Sequence, residues 1–192
     1  MSAVAHRPAR RIWDDLATLR SRFCVRFSPS GATAAAVVAD GRGAAYVESW
    51  TFGPGHRCEP LLDTWTPASS LEQSGAPADV VPFDDGRVLL LRRHPGRHEV
   101  LVAHRDGGLR MAGVLEYPDV AALPAPDGTG RALLICRRPD GQADLWRLDD
   151  LAGAPRRTAG LPASPLLVGG GFLDPRGRSF ALNVRDGDQV RP

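Results

Sequence analysis

The sequence of 192 residues predicts an all-β fold, a partial β-propeller of four-stranded antiparallel blades with a short N-terminal helix. Two observations carry this prediction. A strand–turn–strand unit recurs four times, and the second strand of each copy is apolar at nearly every position instead of alternating. Strands of that kind are buried on both faces. A repeat of about 45 residues with four short strands is typical of a propeller blade, whose inner strands lie between two neighbouring blades.

The third copy shows the unit most clearly. The apolar run Ala132–Cys136 is followed by the turn Pro139–Gln142 and by a second run, Ala143–Leu148. Proline presets the backbone angle φ at the first corner of a turn, and Gly141 can supply the positive φ that hairpin turns often need. The sequence therefore predicts a β-hairpin here.

The copies share a regular spacing between two turns that are marked by glycines. These glycines are ten residues apart in three copies and eleven in the other: Gly31 and Gly41, Gly86 and Gly96, Gly177 and Gly187, and Gly130 and Gly141. An apolar segment before each first turn is expected to form the innermost strand: Cys24–Phe27, Val80–Phe83, Val120–Leu123 and Leu166–Leu173. A fourth strand is expected at Leu109–Leu115 and at Arg156–Leu161.

These patterns divide the chain into an N-terminal segment and four blades. In residues 1–22, Ile12, Leu16 and Leu19 recur at helical spacing, which predicts a helix from Arg10 to about Phe23 that packs on a sheet edge or on another domain. The blades are expected at residues 23–78, 79–119, 120–165 and 166–192, and the last is incomplete, so about three and a half blades are present.

The incomplete ring has a physical consequence. An open half-propeller exposes two blade faces and a sheet edge, which favours aggregation. We therefore expect the chain to be a piece of a larger object: either it is truncated, or a companion chain or a second copy of the same chain completes the ring.

Composition and charge exclude several classes of function. The net charge of +2 is close to neutral for this size and gives no indication of nucleic-acid binding. All 24 basic residues are arginine. No signal-peptide pattern and no run of about 18 apolar residues is found, so a cytoplasmic protein without a membrane role is expected. Cys24, Cys58 and Cys136 are far apart, and Cys24 and Cys136 are expected to be small core residues.

The repeat resembles that of the TolB and prolyl-oligopeptidase group of β-propellers. Its pattern there is roughly F-S-P-D-G, an apolar strand, R-D-G, a second apolar strand and a basic stretch that ends in L-T. Phe27–Gly31 matches except for Ser30 in place of Asp, and the third copy matches from Pro126 to Thr158, whereas the second and fourth copies are looser. The helical segment Asp14–Arg20 also looks like the segment that leads into the propeller of prolyl-oligopeptidase-type hydrolases. The resemblance covers residues 12–192.

In that group an α/β-hydrolase domain with a Ser-Asp-His triad follows the propeller, which caps the active site and filters substrates. The sequence has no G-x-S-x-G nucleophile elbow, so no catalytic residue is assigned. The resemblance implies a non-catalytic gating portion of a serine peptidase or hydrolase, whose active site on a hydrolase domain or companion chain takes a peptide or acyl substrate. The alternative is a propeller scaffold for protein–protein interaction without an enzymatic role.

One set of side chains is a candidate binding site. Arg93, Arg138 and Arg185 precede the hairpin turn in three copies, so the repeat predicts that they lie on one rim of the propeller. A basic rim can attract acidic substrates or a partner protein. The alternative is that these arginines are solvated hairpin ends in an arginine-rich composition.

No metal site and no cofactor is expected. His94 and His98 flank the turn Pro95–Gly96, and no third ligand lies near them in the sequence. A propeller lyase or glycosidase, with its active site in the channel, would need several acidic or histidine residues on the innermost strands. The predicted innermost strands carry almost none, so this function is ranked last.

Overall fold

The chain forms fifteen strands in the part that the computed structural model describes. The described residues are 20–40, 45–52, 57–62, 77–104, 108–161, 167–172, 174, 179–186 and 189–191. In chain order they are β1 Arg20–Phe27, β2 Thr33–Asp40, β3 Ala45–Thr51, β4 Arg57–Leu62, β5 Pro77–Pro82, β6 Val88–His94, β7 Arg97–Ala103, β8 Leu109–Leu115, β9 Asp119–Pro124, β10 Ala132–Arg137, β11 Ala143–Leu148, β12 Arg156–Leu161, β13 Leu167–Phe172, β14 Phe180–Asp186 and β15 Gln189–Arg191. No helix is found among these residues.

Consecutive strands pair antiparallel into four separate sheets. Strands β1–β4, β5–β8 and β9–β12 each form a four-stranded sheet in sequence order, and β13–β15 form a three-stranded sheet. This meander is the strand order of a propeller blade, and the sheets are called blades 1 to 4 below. The fourth strands predicted at Leu109–Leu115 and Arg156–Leu161 are confirmed as β8 and β12.

The second strand of blade 2 is buried on both faces, as its continuous apolar pattern predicts. In β6, Val88 and Leu90 belong to an apolar cluster shared with blade 1, while Leu89 and Leu91 belong to a cluster shared with blade 3. All four residues are at most 1% exposed. Successive side chains of a strand point to opposite faces, so only a sheet that is packed on both sides can bury such a run.

Strand β10 repeats this arrangement in blade 3. Leu134 and Cys136 lie in the cluster shared with blade 2, whereas Leu133 and Ile135 form a separate cluster with neighbours in β11 on the other face. In blade 1, the residues of β2 from Ala34 to Val38 are all at most 2% exposed. The second strand is therefore buried at consecutive positions in all three four-stranded sheets.

The first turn of each of these blades closes in the same way. A glycine amide donates to the carbonyl oxygen three residues earlier, at Gly31 to Ser28, Gly86 to Phe83 and Gly128 to Ala125. The three glycines have φ values of 75°, 84° and 65°. This is the left-handed region, which glycine occupies at no steric cost, and it explains why the repeat keeps a glycine at this place.

Asp84 links the first turns of neighbouring blades. Its Oδ1 accepts hydrogen bonds from the Ser30 hydroxyl at 2.6 Å and from the Ser30 amide at 3.3 Å. Burial acts to raise the pKa of Asp84, but the hydrogen bonds from Ser28 and Ser30 outweigh it and hold that pKa below its ordinary value. On its other side the Asp84 side chain lies against Gly128 of blade 3. One carboxylate therefore spans the turns of three blades.

Two sequence predictions are corrected. Residues 10–19 of the helix predicted from Arg10 to about Phe23 lie outside the described residues. Its last part, from Arg20 to Phe23, is strand, because it pairs with β2 from Arg20 opposite Asp40. Cys136 is buried as predicted, whereas Cys24 is exposed. The reason is that β1 is an innermost strand with an irregular register between Phe23 and Arg26.

We expect Leu90→Ala to lower the free energy of unfolding by about 2–5 kcal/mol, because it leaves a cavity between blades 1 and 2. Leu109→Ala is the matched control, since Leu109 is 42% exposed and its loss should cost about 0.5 kcal/mol or less. Urea unfolding followed by tryptophan fluorescence measures both. Equal losses would contradict two-sided packing of blade 2.

Gly128→Ala should destabilise the protein more than Gly141→Ala, although both glycines have a positive φ. A Cβ at Gly141 meets no atom within 4 Å, so only the backbone cost of about 1–2 kcal/mol applies there. A Cβ at Gly128 would collide with the Asp84 side chain, which is held by Ser30, and overpacking adds about 1–3 kcal/mol. Thermal unfolding of the two variants decides the point, and a Gly141→Ala loss equal to or above that of Gly128→Ala would contradict it.

Candidate functional site

The innermost strands of blades 1 to 3 meet each other. Strand β5 contacts both β1 and β2 of blade 1, and it also contacts β9 of blade 3. In a propeller the first strand of each blade lines the central channel. The side chains of β1, β5 and β9 are therefore candidates for a functional site.

A charged pair lies at this meeting point. The Arg26 Nη2 atom in β1 donates to Asp79 Oδ2 in β5 at 2.9 Å. The other carboxylate oxygen accepts from the amide of Val80 at 2.9 Å, and the amide of Ala122 in β9 also hydrogen-bonds this carboxylate. Asp79 is 7% exposed, so it is a buried carboxylate that joins the innermost strands of three blades.

The environment of Asp79 makes its carboxyl group a weaker acid. Burial raises the pKa of the Asp79 carboxyl above its ordinary value, and the opposing effects of Arg26 and of the amides of Val80 and Ala122 do not cancel that increase. A buried carboxylate with a raised pKa and a specific charge partner is found both in functional sites and in structural ion pairs. Asp79 is not predicted from the sequence, because the predicted innermost strand of blade 2 begins at Val80.

Cys24 lies beside this pair on β1. Its φ is 54°, an uncommon value for a residue other than glycine, and it falls at the register irregularity of β1. Burial, followed by the charge of Asp79, raises the pKa of the Cys24 thiol. The thiolate is the nucleophilic form of cysteine, so Cys24 is held as a thiol and does not have the properties of an activated nucleophile.

A second polar cluster lies between blades 2 and 3, around Asp144 at the start of β11. Asp144 is 1% exposed and accepts hydrogen bonds from Arg138 at 2.7 Å, Arg157 at 2.7 Å and the Tyr117 hydroxyl at 2.5 Å. The Trp146 indole donates to the same hydroxyl at 3.3 Å. Burial acts to raise the pKa of Asp144, but Tyr117, Arg157 and Arg138 lower it to about 2. This saturated cluster fixes the connection between two blades.

The predicted basic rim has different surroundings at each position. Arg93 is exposed near the end of β6. Arg138 follows β10, as predicted, but its guanidinium is half-buried and paired with Asp144. Arg185 lies in β14 beside Val190 of β15, and its side chain is outside the described part. Arg93 and Arg138 therefore differ in how much charge they present to solvent, and a binding role of the three arginines stays a prediction.

The histidines of the β6–β7 hairpin do not converge. His94 is opposite Arg97 and His98 is opposite Arg93, so the two histidines occupy neighbouring positions of the ladder, which face opposite sides. His98 is buried, and its Nδ1 lies 3.0 Å from the carbonyl oxygen of Tyr117. Within the ranges that the structure describes, no three histidine, cysteine, aspartate or glutamate residues are grouped as metal ligands, and no helix could cross a membrane.

The face of blade 1 that points away from blade 2 carries exposed apolar side chains. Phe27 in β1 is opposite Ala34, which in turn is opposite Trp50, so the three share this face. Phe27 is 61% exposed and Phe52 is 44% exposed, and their rings stack with centroids 6.0 Å apart. Val25 is 51% exposed on the same strand as Phe27. We call Val25, Phe27, Trp50 and Phe52 the blade 1 outer patch.

The fold and this geometry define the class of protein: an all-β chain of antiparallel sheets arranged as part of a β-propeller. No known protein family model matches the sequence, and no curated protein matches it. Comparison with solved structures supplies the more particular similarity.

The chain is similar in structure to TolB from Acinetobacter baumannii, with a TM-score of 0.57 and 18% sequence identity over 88% of this chain and 40% of TolB. It is also similar to a putative 6-phosphogluconolactonase from Bacteroides fragilis, with a TM-score of 0.50 and 15% identity over 88% of this chain and 52% of that one. At these identities the similarity shows the fold alone. The chain spans about half, or less, of the length of these two proteins.

The TolB-type propeller predicted from the repeat is therefore supported in its fold. The predicted relation to prolyl oligopeptidases stays a prediction, and so do the cytoplasmic location and the blade boundaries.

Asp144→Asn tests the second cluster through its pH dependence. Because the folded pKa of about 2 lies below the unfolded value of about 3.9, ionised Asp144 stabilises the fold above pH 4, and this contribution is lost as the pH falls through 2. We expect the variant to be less stable than the wild type by about 1–3 kcal/mol at pH 7. The difference should narrow between pH 4 and pH 2 in urea unfolding, and a constant difference would exclude this role of the charge.

Proposed function

We propose that this chain is a non-catalytic, partner-binding portion of a β-propeller whose ring is completed by further blades. The observation that carries the proposal is the blade 1 outer patch. The opposite face of the same sheet is buried against blade 2 through Ala35, Val37 and Val47. Blade 1 thus has one face covered by a blade and one face with aromatic and aliphatic side chains in contact with solvent.

The occupant that fits this patch is another blade, a β-sheet that presents small and branched apolar side chains. Two facts support this choice. The contact between blades 1 and 2 already joins such surfaces, with Val80, Val88 and Leu90 of blade 2 packed on blade 1. In addition, the matched part of this chain covers only 40% and 52% of the two similar structures, in a fold that is built from repeated blades.

The polar residues at the border of the patch restrict how that blade can dock. Arg22 pairs with the buried carboxylate of Glu48 at 2.8 Å, and its guanidinium lies 5.7 Å from the centre of the Trp50 ring. These contacts hold Trp50 at one side of the patch. Apolar contact at Phe27 then stabilises the complex with the docked blade, while the charged border favours one orientation of that blade.

A gating role in a serine hydrolase is the more specific form of this proposal. It rests on the resemblance of the repeat to the prolyl-oligopeptidase group and requires a hydrolase domain on the completing chain. A plain interaction scaffold requires only the completing blades. A fluorophosphonate probe separates the two, because it labels a catalytic serine in the completed assembly and labels nothing in a scaffold.

The test of completion is native mass spectrometry of the protein from its natural source, with every polypeptide identified. We expect a mass above the 20.6 kDa of one chain, from a longer polypeptide, a companion or a second copy. Where the partner is a separate chain, Phe27→Asp should weaken the association at least tenfold. Met111→Asp, at a residue that is 53% exposed on the outermost strand of blade 2, should leave it unchanged.

A single chain of 20.6 kDa without any companion would contradict the proposal. Equal weakening by Phe27→Asp and Met111→Asp would also contradict it, since a general loss of solubility and not the blade 1 outer patch would then be responsible.

A further inference from the structure

We infer that Arg26 forms a recognition site for an anionic group, a carboxylate or a phosphate, where the innermost strands of blades 1 to 3 meet. The site consists of the Arg26 guanidinium, the Asp79 carboxylate that anchors it and the neighbouring Cys24 thiol. It goes beyond the proposed function and does not require a completed ring, because its residues belong to blades that the structure describes.

The first argument is the hydrogen-bonding capacity that remains on Arg26. A guanidinium has five N–H donors, and among the described residues only Asp79 Oδ2 accepts one from Arg26. The side chain is 41% exposed, so a ligand in solvent can reach it at the meeting point of the strands. A planar guanidinium with free donors is suited to bind carboxylate or phosphate oxygens in pairs.

The second argument is the anchoring of Arg26. Its carboxylate partner Asp79 is 7% exposed and is itself held by the amides of Val80 and Ala122. The lone pairs of this carboxylate are therefore directed at donors of the protein and not at the channel. As a result Asp79 offers little to a cation, while it fixes the direction of the guanidinium, and a fixed group loses less entropy when it binds a ligand.

The third argument concerns the other polar groups of the innermost strands. The Cys24 thiol is a weak donor that is held protonated. The exposed acidic group of β9, Asp119, already pairs with Arg137 at 3.4 Å. Arg26 is therefore the half-exposed donor at this meeting point, and its natural ligand carries negatively charged acceptors. The net charge of the Arg26–Asp79 pair is zero. We therefore expect the site to bind an anion with millimolar affinity and to select its ligand by the geometry of the hydrogen bonds.

Cys24 supplies a built-in reporter for the test. The full chain is treated with iodoacetamide, a neutral reagent, in increasing inorganic phosphate or acetate at constant ionic strength set with sodium chloride. Peptide mapping then measures the labelling rate at each cysteine separately. Because Cys24 is exposed and Cys136 is buried, labelling of Cys136 reports unfolding in the same sample.

We expect at least one of the two anions to slow labelling of Cys24 at least threefold in a saturable manner, without an effect on Cys136. Protection by phosphate alone identifies a phosphoryl group as the ligand, and protection by acetate alone identifies a carboxylate such as a peptide C-terminus. Protection by both supports recognition of either. No protection by either anion would overturn the inference.

The decisive variant is the double change Arg26→Gln with Asp79→Asn, which removes both charges and leaves no buried charge without a partner. It should lose the protection of Cys24. Arg97→Gln, which also removes one exposed arginine, should keep it. If the double variant does not fold, the single variant Arg26→Lys is used in its place. A lysine keeps the ion pair with Asp79 but loses the paired donors of the guanidinium, so protection of Cys24 should weaken at least threefold. Unchanged protection in the folded variant would overturn the inference.

Discussion

The structure depends on one constraint: a strand that is apolar at every position must have a packed surface on both of its sides. Strand β6 satisfies it with Val88 and Leu90 against blade 1 and with Leu89 and Leu91 against blade 3. At about 25 cal/mol per Å² of apolar surface, exposing either side of such a strand would cost several kcal/mol. Blade 2 is therefore stable only between its two neighbours. Each further blade has an apolar second strand of its own, so its outer face must be covered in the same way.

This constraint places polar chemistry at the ends and at the inner border of the blades. At one end, Asp84 joins the first turns of neighbouring blades through Ser30. Between blades 2 and 3, Asp144 is surrounded by Arg138, Arg157 and Tyr117, whose hydrogen bonds compensate for its loss of water. Both carboxylates have lowered pKa values, which indicates that their charged form stabilises the fold.

The sequence was informative about strands and turns because those depend on local periodicity and on glycine. The hairpin at Gly141 and the strand β12 are found as predicted. The charged contacts were not predictable, since Arg26 and Asp79 are 53 residues apart and meet only through the packing of two blades. Asp79 was also missed because its β5 begins with Pro77, which resembles the end of a loop more than the start of a strand.

The same difference between local sequence pattern and packing of the blades explains why Cys24 was expected in the core. An apolar run that contains a cysteine predicts a core position, and that holds for Cys136, which lies in the middle of a blade. Burial even raises the pKa of that thiol to about 12. The sequence pattern around Cys24 is similar, but periodicity does not report the irregular register that exposes this residue.

The inner strands also show why a site can exist where packing is incomplete. Blades are wedge-like in a ring, so their innermost strands come together at an axis where no further sheet can cover them. Apolar side chains there would remain in contact with water, whereas an ion pair such as Arg26–Asp79 can use main-chain amides of the adjacent strands on one side and solvent on the other. The buried partner then fixes the half-exposed one. The requirement for two-sided packing thus leaves the inner strands as the place where an oriented charge is least costly, and Arg26 occupies that place.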